Sequence, residues 1–91
     1  IQASLALNRR GMRQLEEGAR QLGIGYIPSV GNFITLDLGR PAGPIDQALL
    51  RAGCITRPVA NYGMPNHLRV TIGHEAENAR LLAALAVALS A

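Results

Sequence analysis

The sequence predicts an α+β domain in two layers, a mostly antiparallel sheet of about four strands with three helices packed on one face, in the order α-β-β-α-β-β-α. Three observations lead there. Apolar residues recur at helical spacing at both ends of the chain and in one short central segment. Between these lie two pairs of short runs that alternate apolar and polar residues and are bounded by Gly, Pro and Asn. The chain has 91 residues, 48% of them hydrophobic, which is enough for one folded domain and not for two.

The elements follow in order. Leu5, Met12, Leu15, Ala19 and Leu22 make one face of the first helix, and Asn8, Arg9, Arg13, Glu16 and Arg20 fill the other. Gly11 and Gly18 weaken it by about 1 kcal/mol each relative to Ala, and Gly23 is placed to cap its end. "GYIP" (25–28) reads as a strand stopped by Pro28, "SVGN" (29–32) as a turn, and "FITLDLG" (33–39) as a stronger strand. In "RPAGPIDQALLRAG" (40–53), Pro44 suits the first helical position and Asp46 the first turn. Ile45, Ala48 and Leu49 form the inner stripe of this second helix, and Gly53 stops it. "CITRPV" (54–59) reads as a third strand closed by Pro58, "ANYGMPN" (60–66) as a loop, and "HLRVTIG" (67–73) as the fourth strand. His74 with Glu77 resembles a capping box with a poor cap residue. The last helix then runs from about Glu75 to Leu89, with Leu81, Leu82, Leu85, Ala88 and Leu89 as its apolar face.

Composition removes several function classes. The net charge is +3, and all nine basic residues are arginines, at 9, 10, 13, 20, 40, 51, 57, 69 and 80. Without a lysine, Schiff-base chemistry on this chain is excluded. Scattered arginines with three aromatic residues do not make a nucleic-acid footprint. No apolar run reaches the roughly 20 residues of a membrane span, and the apolar end "LLAALAVALSA" is preceded at helical spacing by Glu77 and Arg80. The single cysteine, Cys54, allows no internal disulfide and fits a reducing, cytoplasmic setting. It reads as a small buried hydrophobe rather than a nucleophile. The start lacks the basic n-region of a signal peptide. It also lacks an initiator Met and opens inside a helix, so the chain reads as a piece of a longer protein.

Few residues point to chemistry. His67 and His74 have no Asp, Cys or second His at metal-ligand spacing, so no metal site is expected. Ser29 lacks a nucleophile-elbow context, and "GIGYIPSVG" lacks the lysine of a phosphate loop. Asn32 reads as turn chemistry, and Tyr62 as a turn residue with its ring packed on the domain edge. Two arginines remain. If Leu68, Val70 and Ile72 face the helices, then His67, Arg69 and Thr71 face away. Arg69 is then either a solvated side chain on an open sheet face or an anion clamp, for which its planar fork is suited. Arg57, next to Pro58, shares a face with Ile55 and Val59 by alternation. It is either a strand-end arginine reaching solvent or half of a dianion site with Arg69.

The stretches "NRRGMRQLEEGARQLGIGYIPSVGNFITLDLG" and "ITRPVANYGMPNHLRVTIGHEAENARLLAAL" resemble the C-terminal part of histidinol-phosphate aminotransferases, pyridoxal-phosphate enzymes of fold type I. The sharpest pieces are "GNF" (31–33), "RPV" (57–59), "YGMPNHLRVTIG" (62–73), and Glu77–Asn78 with "LLAAL" (81–85). The likeness covers roughly residues 8–89. It departs at His74, where the family opens the helix with Thr or Ser. The resemblance implies that residues 1–91 are the small C-terminal domain of a two-domain chain that works as a homodimer. It implies that Arg69 holds the anion of a phosphorylated or carboxylate substrate, with Arg57 as a second contact. Pyridoxal phosphate would be bound by the large domain, with no catalytic or cofactor-binding residue on this chain, and the isolated piece would be inactive. Aromatic amino-acid aminotransferases carry similar pieces and stand as an alternative. From the residues alone, two further readings stay open: a free-standing regulatory module for an anionic metabolite, and an interaction domain whose open sheet face pairs with itself.

Overall fold

The computed structural model describes the backbone of residues 2–90 and the side chains of residues 8–90, so Leu5 of the first apolar stripe lies outside the described side chains. The elements are α1 (Gln2–Leu22), β1 (Gly25–Pro28), β2 (Phe33–Asp37), α2 (Ala42–Arg51), β3 (Arg57–Val59), a 3-10 turn (Ala60–Tyr62), β4 (Met64–Thr71) and α3 (Glu75–Ser90). The strands form one antiparallel sheet in the order β1-β2-β4-β3. Each hairpin-like pair is thus adjacent in space, and the two pairs join through β2 and β4. The expected architecture and order are those observed.

Period-two alternation in the central strands builds the core. Ile34 and Leu36 of β2 and Leu68 and Val70 of β4 are buried, and their outward neighbours are not. Leu15 and Ala19 of α1, Ile45 and Leu49 of α2, and Leu81 and Leu85 of α3 close over this surface. Helix α3 packs against both other helices, while α1 covers β1 and β2 and α2 covers β3 and β4. Burying each large aliphatic side chain stabilises the fold by roughly 1.5–3 kcal/mol.

Helices α1 and α2 end in the same way. Gly23 and Gly53 adopt φ of +74° and +84°, which only glycine accepts without strain. The N–H of Gly23 bonds Arg20 O and that of Ile24 bonds Ala19 O; Gly53 bonds Leu50 O and Cys54 bonds Leu49 O. Both are Schellman closures. Helix α3 opens with half of the expected capping box, since the His74 N–H donates to Glu77 Oε1 at 2.8 Å.

Several expectations are corrected. Helix α2 begins at Ala42, so Pro44 occupies its third position rather than the first. The first four N–H groups of a helix have no internal partner, so proline is harmless there. Asp46 consequently lies beyond the first turn, and its carboxylate accepts the Thr56 hydroxyl instead. Strand β3 is confined to Arg57–Val59, with Pro58 inside it, which an edge strand tolerates. Strand β4 starts at Met64, and part of the expected loop is the 3-10 turn, closed by Gly63 at φ +77°. Tyr62 on that turn does not pack on the domain edge but is 73% exposed.

The helical glycines of α1 have a packing role that propensity hides. A Cβ on Gly11 would stand 2.4 Å from Ile72 Cγ2, and one on Gly18 would stand 2.5 Å from the Leu82 methyls. Gly18 lets α1 approach the middle of α3, and Gly11 lets it approach the junction of β4 and α3. The same junction holds Asn78, 2% exposed. Its Oδ1 accepts the Gly73 N–H at 2.9 Å, and its Nδ2 donates to Gly73 O at 3.1 Å and to Gln14 Oε1 at 3.0 Å. One side chain thus ties α3, the exit of β4 and α1 together.

Two outcomes follow for stability. Gly11→Ala meets a core methyl with little room to move, so overpacking of about 1–3 kcal/mol outweighs the gain of about 1 kcal/mol in helix propensity. Gly18→Ala meets only the tip of half-buried Leu82 and comes out within about 1 kcal/mol of the parent. Urea unfolding of the two variants checks this, and a Gly11→Ala chain more stable than Gly18→Ala refutes it. Asn78→Leu leaves the Gly73 N–H and C=O without partners and costs roughly 2–4 kcal/mol, read from the shift in urea midpoint. A midpoint unchanged from the parent shows the junction to be dispensable.

Candidate functional site

The outer face of the sheet, away from the helices, carries the two arginines. Thr35 of β2 pairs with Arg69 of β4, and Arg69 pairs with Arg57 of β3, so the three residues form one row across the sheet. Directly opposed residues share a face, with Cβ atoms about 4.5–5.5 Å apart. Arg57 and Arg69 are both exposed. Two arginines are therefore neighbours in the ladder at the boundary of water.

Arg57 reaches this face through its pairing with Arg69, and an irregularity just after it separates it from Val59. Continued pairing in step would set Val59 opposite His67 on the outer face. Instead the register shifts after Pro58, and Val59 lies opposite Met64. That odd-numbered slip turns Val59 inward, where it is 6% exposed. The expectation that Arg57, Ile55 and Val59 share a face is thus corrected. Arg57 shares its face with Arg69, Val59 is buried, and Ile55 precedes the strand and is 85% exposed.

Neither arginine has a carboxylate partner among the described residues, and several acids of the domain are engaged elsewhere. Asp37, in the next outward row, accepts the Gly39 N–H at 3.1 Å on one oxygen and has His67 Nε2 at 3.7 Å from the other. Asp46 is turned to Thr56 and Glu77 to the His74 N–H. Glu17 pairs with Arg20 on α1, which raises the Arg20 pKa above its ordinary value chiefly through their hydrogen bond. Like charges directly opposed across strands destabilise a sheet. An uncompensated pair on an exposed face has the chemistry to receive an anion, phosphate or carboxylate matching it best.

One contact with Arg69 was not expected from the sequence. Its guanidinium carbon lies 3.8 Å from the centroid of the Phe33 ring. Phe33 pairs with Thr71, diagonal to Arg69 on the same face. Strand reading noted Phe33 only as a strand former. The signal that could have found it is the register, since the outer residues of two neighbouring strands meet diagonally once their pairing is known.

The other residues singled out in the sequence do not join this face as a cluster. Ser29 closes the β1–β2 turn, its hydroxyl donating to Phe33 O at 2.7 Å and accepting the Gly31 N–H at 3.1 Å. Cys54 is a half-buried free thiol against the core. His67 is mostly buried beside Asp37, with Nδ1 lacking a partner, and His74 is exposed at the start of α3. Among the described residues, no group of three or more His, Cys, Asp or Glu side chains is arranged to hold a metal ion, and no helix is long and apolar enough to cross a membrane.

Comparison with known proteins gives this geometry a family. The family model "Aminotransferase class I and II" matches residues 2–85. Histidinol-phosphate aminotransferase 2 of Pseudomonas fluorescens is 66% identical over 87 residues, covering 96% of this chain and 24% of the relative. The protein of that name from Pseudomonas aeruginosa is 59% identical over 87 residues, covering 96% and 24% respectively. The chain therefore spans about a quarter of the length of the curated relatives it matches. Among solved structures, histidinol-phosphate aminotransferase from Sinorhizobium meliloti in complex with pyridoxal-5'-phosphate superposes with a TM-score of 0.82 over 93% of this chain and 24% of that one, at 24% identity. Thermus thermophilus aspartate aminotransferase with maleate gives 0.75 over 91% and 23%, also at 24% identity. These two share the fold of this chain. With a match across residues 2–85 and the family's sheet and helix order in place, the chain belongs to the class I and II aminotransferases.

Proposed function

We propose that this chain is the small C-terminal domain of a histidinol-phosphate aminotransferase, in which Arg69 and Arg57 hold the anionic group of the substrate. The observation that carries the reading is the row of two opposed, exposed arginines without a carboxylate against either among the described residues. The names of the curated relatives described above support the substrate class. Two arginines at neighbouring ladder positions also suit a dianionic phosphate better than the single charge of a carboxylate. That favours a phosphorylated substrate over an aromatic amino acid.

In this reading the whole enzyme moves an amino group between glutamate and imidazole-acetol phosphate, as a cytoplasmic homodimer. Pyridoxal phosphate, when bound, supplies the electron sink that such a transfer needs. The residues present here do not fit the covalent attachment of that group, because it requires a lysine amine and this chain has none. Its binding falls to the large domain, and the isolated chain is inactive. The work of the small domain is to bind and orient. Arg69 presents its fork from the middle of β4, a rigid central strand, and Arg57 approaches from the edge strand beside it.

The test is paired kinetics and melting on the full-length enzyme. Arg69→Ala removes charge-assisted hydrogen bonds to the substrate and raises KM roughly tenfold to several hundredfold. Its melting temperature stays level or rises slightly, since the substitution relieves repulsion from Arg57 and touches none of the core. Arg69→Lys recovers little, because a point charge cannot reproduce the fork. A variant that melts early while its folded fraction keeps a normal KM makes Arg69 a structural residue and ends this reading.

A further inference from the structure

We infer that Phe33 is the positioning residue for Arg69: its ring face orients the guanidinium and leaves the N–H donors free for the anion. The inference rests on the reading that Arg69 holds the substrate's anionic group. The ring centroid lies 3.8 Å from the guanidinium carbon, within the range at which a cation is attracted to the face of an aromatic ring. A guanidinium lying flat on a ring uses its face, whereas a hydrogen-bonded carboxylate would occupy its edge. The edge is where a bidentate anion must bind. Among the described residues no hydrogen bond or ion pair holds Arg69, so the ring is the contact that restrains an otherwise free and exposed side chain.

The turn before β2 is built to hold that ring. A Cβ on Gly31 would stand 3.2 Å from the ring's Cε2, so the missing side chain of Gly31 leaves the space in which the ring lies. The Phe33 carbonyl accepts the Ser29 hydroxyl at 2.7 Å, and the Asn32 carbonyl accepts the Ile72 N–H at 2.8 Å. The first bond fixes the turn internally. The second fixes it to β4, three residues beyond Arg69. The turn that carries the ring and the strand that carries the arginine are therefore one assembly, and "GNF" supplies the space, the tie and the ring in order.

The experiment is steady-state kinetics on the full-length enzyme with Phe33→Leu, Phe33→Tyr and pentafluorophenylalanine at position 33, each alone and with Arg69→Ala. Pentafluorophenylalanine keeps the ring's shape but inverts its quadrupole, so a purely structural role is insensitive to it. Phe33→Leu and the fluorinated variant are expected to raise KM for the anionic substrate roughly three- to tenfold with kcat little changed. Phe33→Tyr keeps the ring face and stays within about twofold of the parent. In the Arg69→Ala background, none of them changes KM further. If Phe33→Leu fails to fold, the fluorinated variant decides alone. A raised KM in Arg69→Ala with a parental KM in the fluorinated variant overturns this inference and leaves the anion reading standing. Effects of Phe33 that persist in full without Arg69 also overturn it. A parental KM in Arg69→Ala overturns the anion reading, and this inference with it.

Discussion

Ile34 stands opposite Val70 and Leu36 opposite Leu68, and this register of β2 on β4 is the constraint from which the rest of the molecule follows. All four side chains are nearly inaccessible and form the surface on which the helices pack. Because side chains alternate with a period of two, slipping β4 by one residue against β2 would turn Arg69 into the core and Leu68 and Val70 into water. Such a slip would bury a charge without a partner, at a cost no small domain could offset. The same register that builds the core therefore also places Arg69 outward, beside Arg57 and across from Phe33. Core and site are two sides of one ladder.

The helices are held to that sheet by close contact more than by helix propensity. Gly11 and Gly18 each cost α1 some intrinsic stability, yet both lie where a methyl group would strike a neighbouring side chain. Close to Gly11, Asn78 satisfies both backbone groups of Gly73 and bonds Gln14. The exit of β4 is thereby locked to two helices at once. A rigid exit matters because β4 carries Arg69 and, through Ile72 and Asn32, the turn that carries Phe33.

The outer face follows the opposite logic. Two like charges are opposed across strands, and a buried histidine nitrogen nearby has no partner. A fold selected for stability alone would place a carboxylate beside Arg57 or Arg69. Local conflicts of this kind, set in a domain that is consistent elsewhere, are where function is expected. The outer face was legible to a large extent: alternation in "HLRVTIG" was enough to send Arg69 outward, and the resemblance gave it a task. Arg57 was legible as a candidate but not in its direction. Val59 two residues on is apolar, and only the register shift after Pro58 separates their faces. Phe33 was not legible as a site residue, because its partner is 36 positions away in the chain and meets it only diagonally.

By itself, the sequence determined much of the local structure and the inside–outside division of the long helices and central strands. Helical spacing marked α1 and α3, alternation marked β2 and β4, and Gly23 and Gly53 marked the helix ends, because each of these depends on backbone preference and on neighbours within a turn or a strand. The missing lysine likewise excluded a lysine Schiff base on this chain without any structure. Tertiary structure alone decided the lateral order β1-β2-β4-β3, the shortening of β3, the start of α2 at Ala42 and the packing role of the helical glycines. It also decided which arginine stands beside which, and against which ring. These depend on which surfaces meet, and the free energy of that meeting belongs to pairs of residues far apart in the chain. No window of the sequence contains both partners.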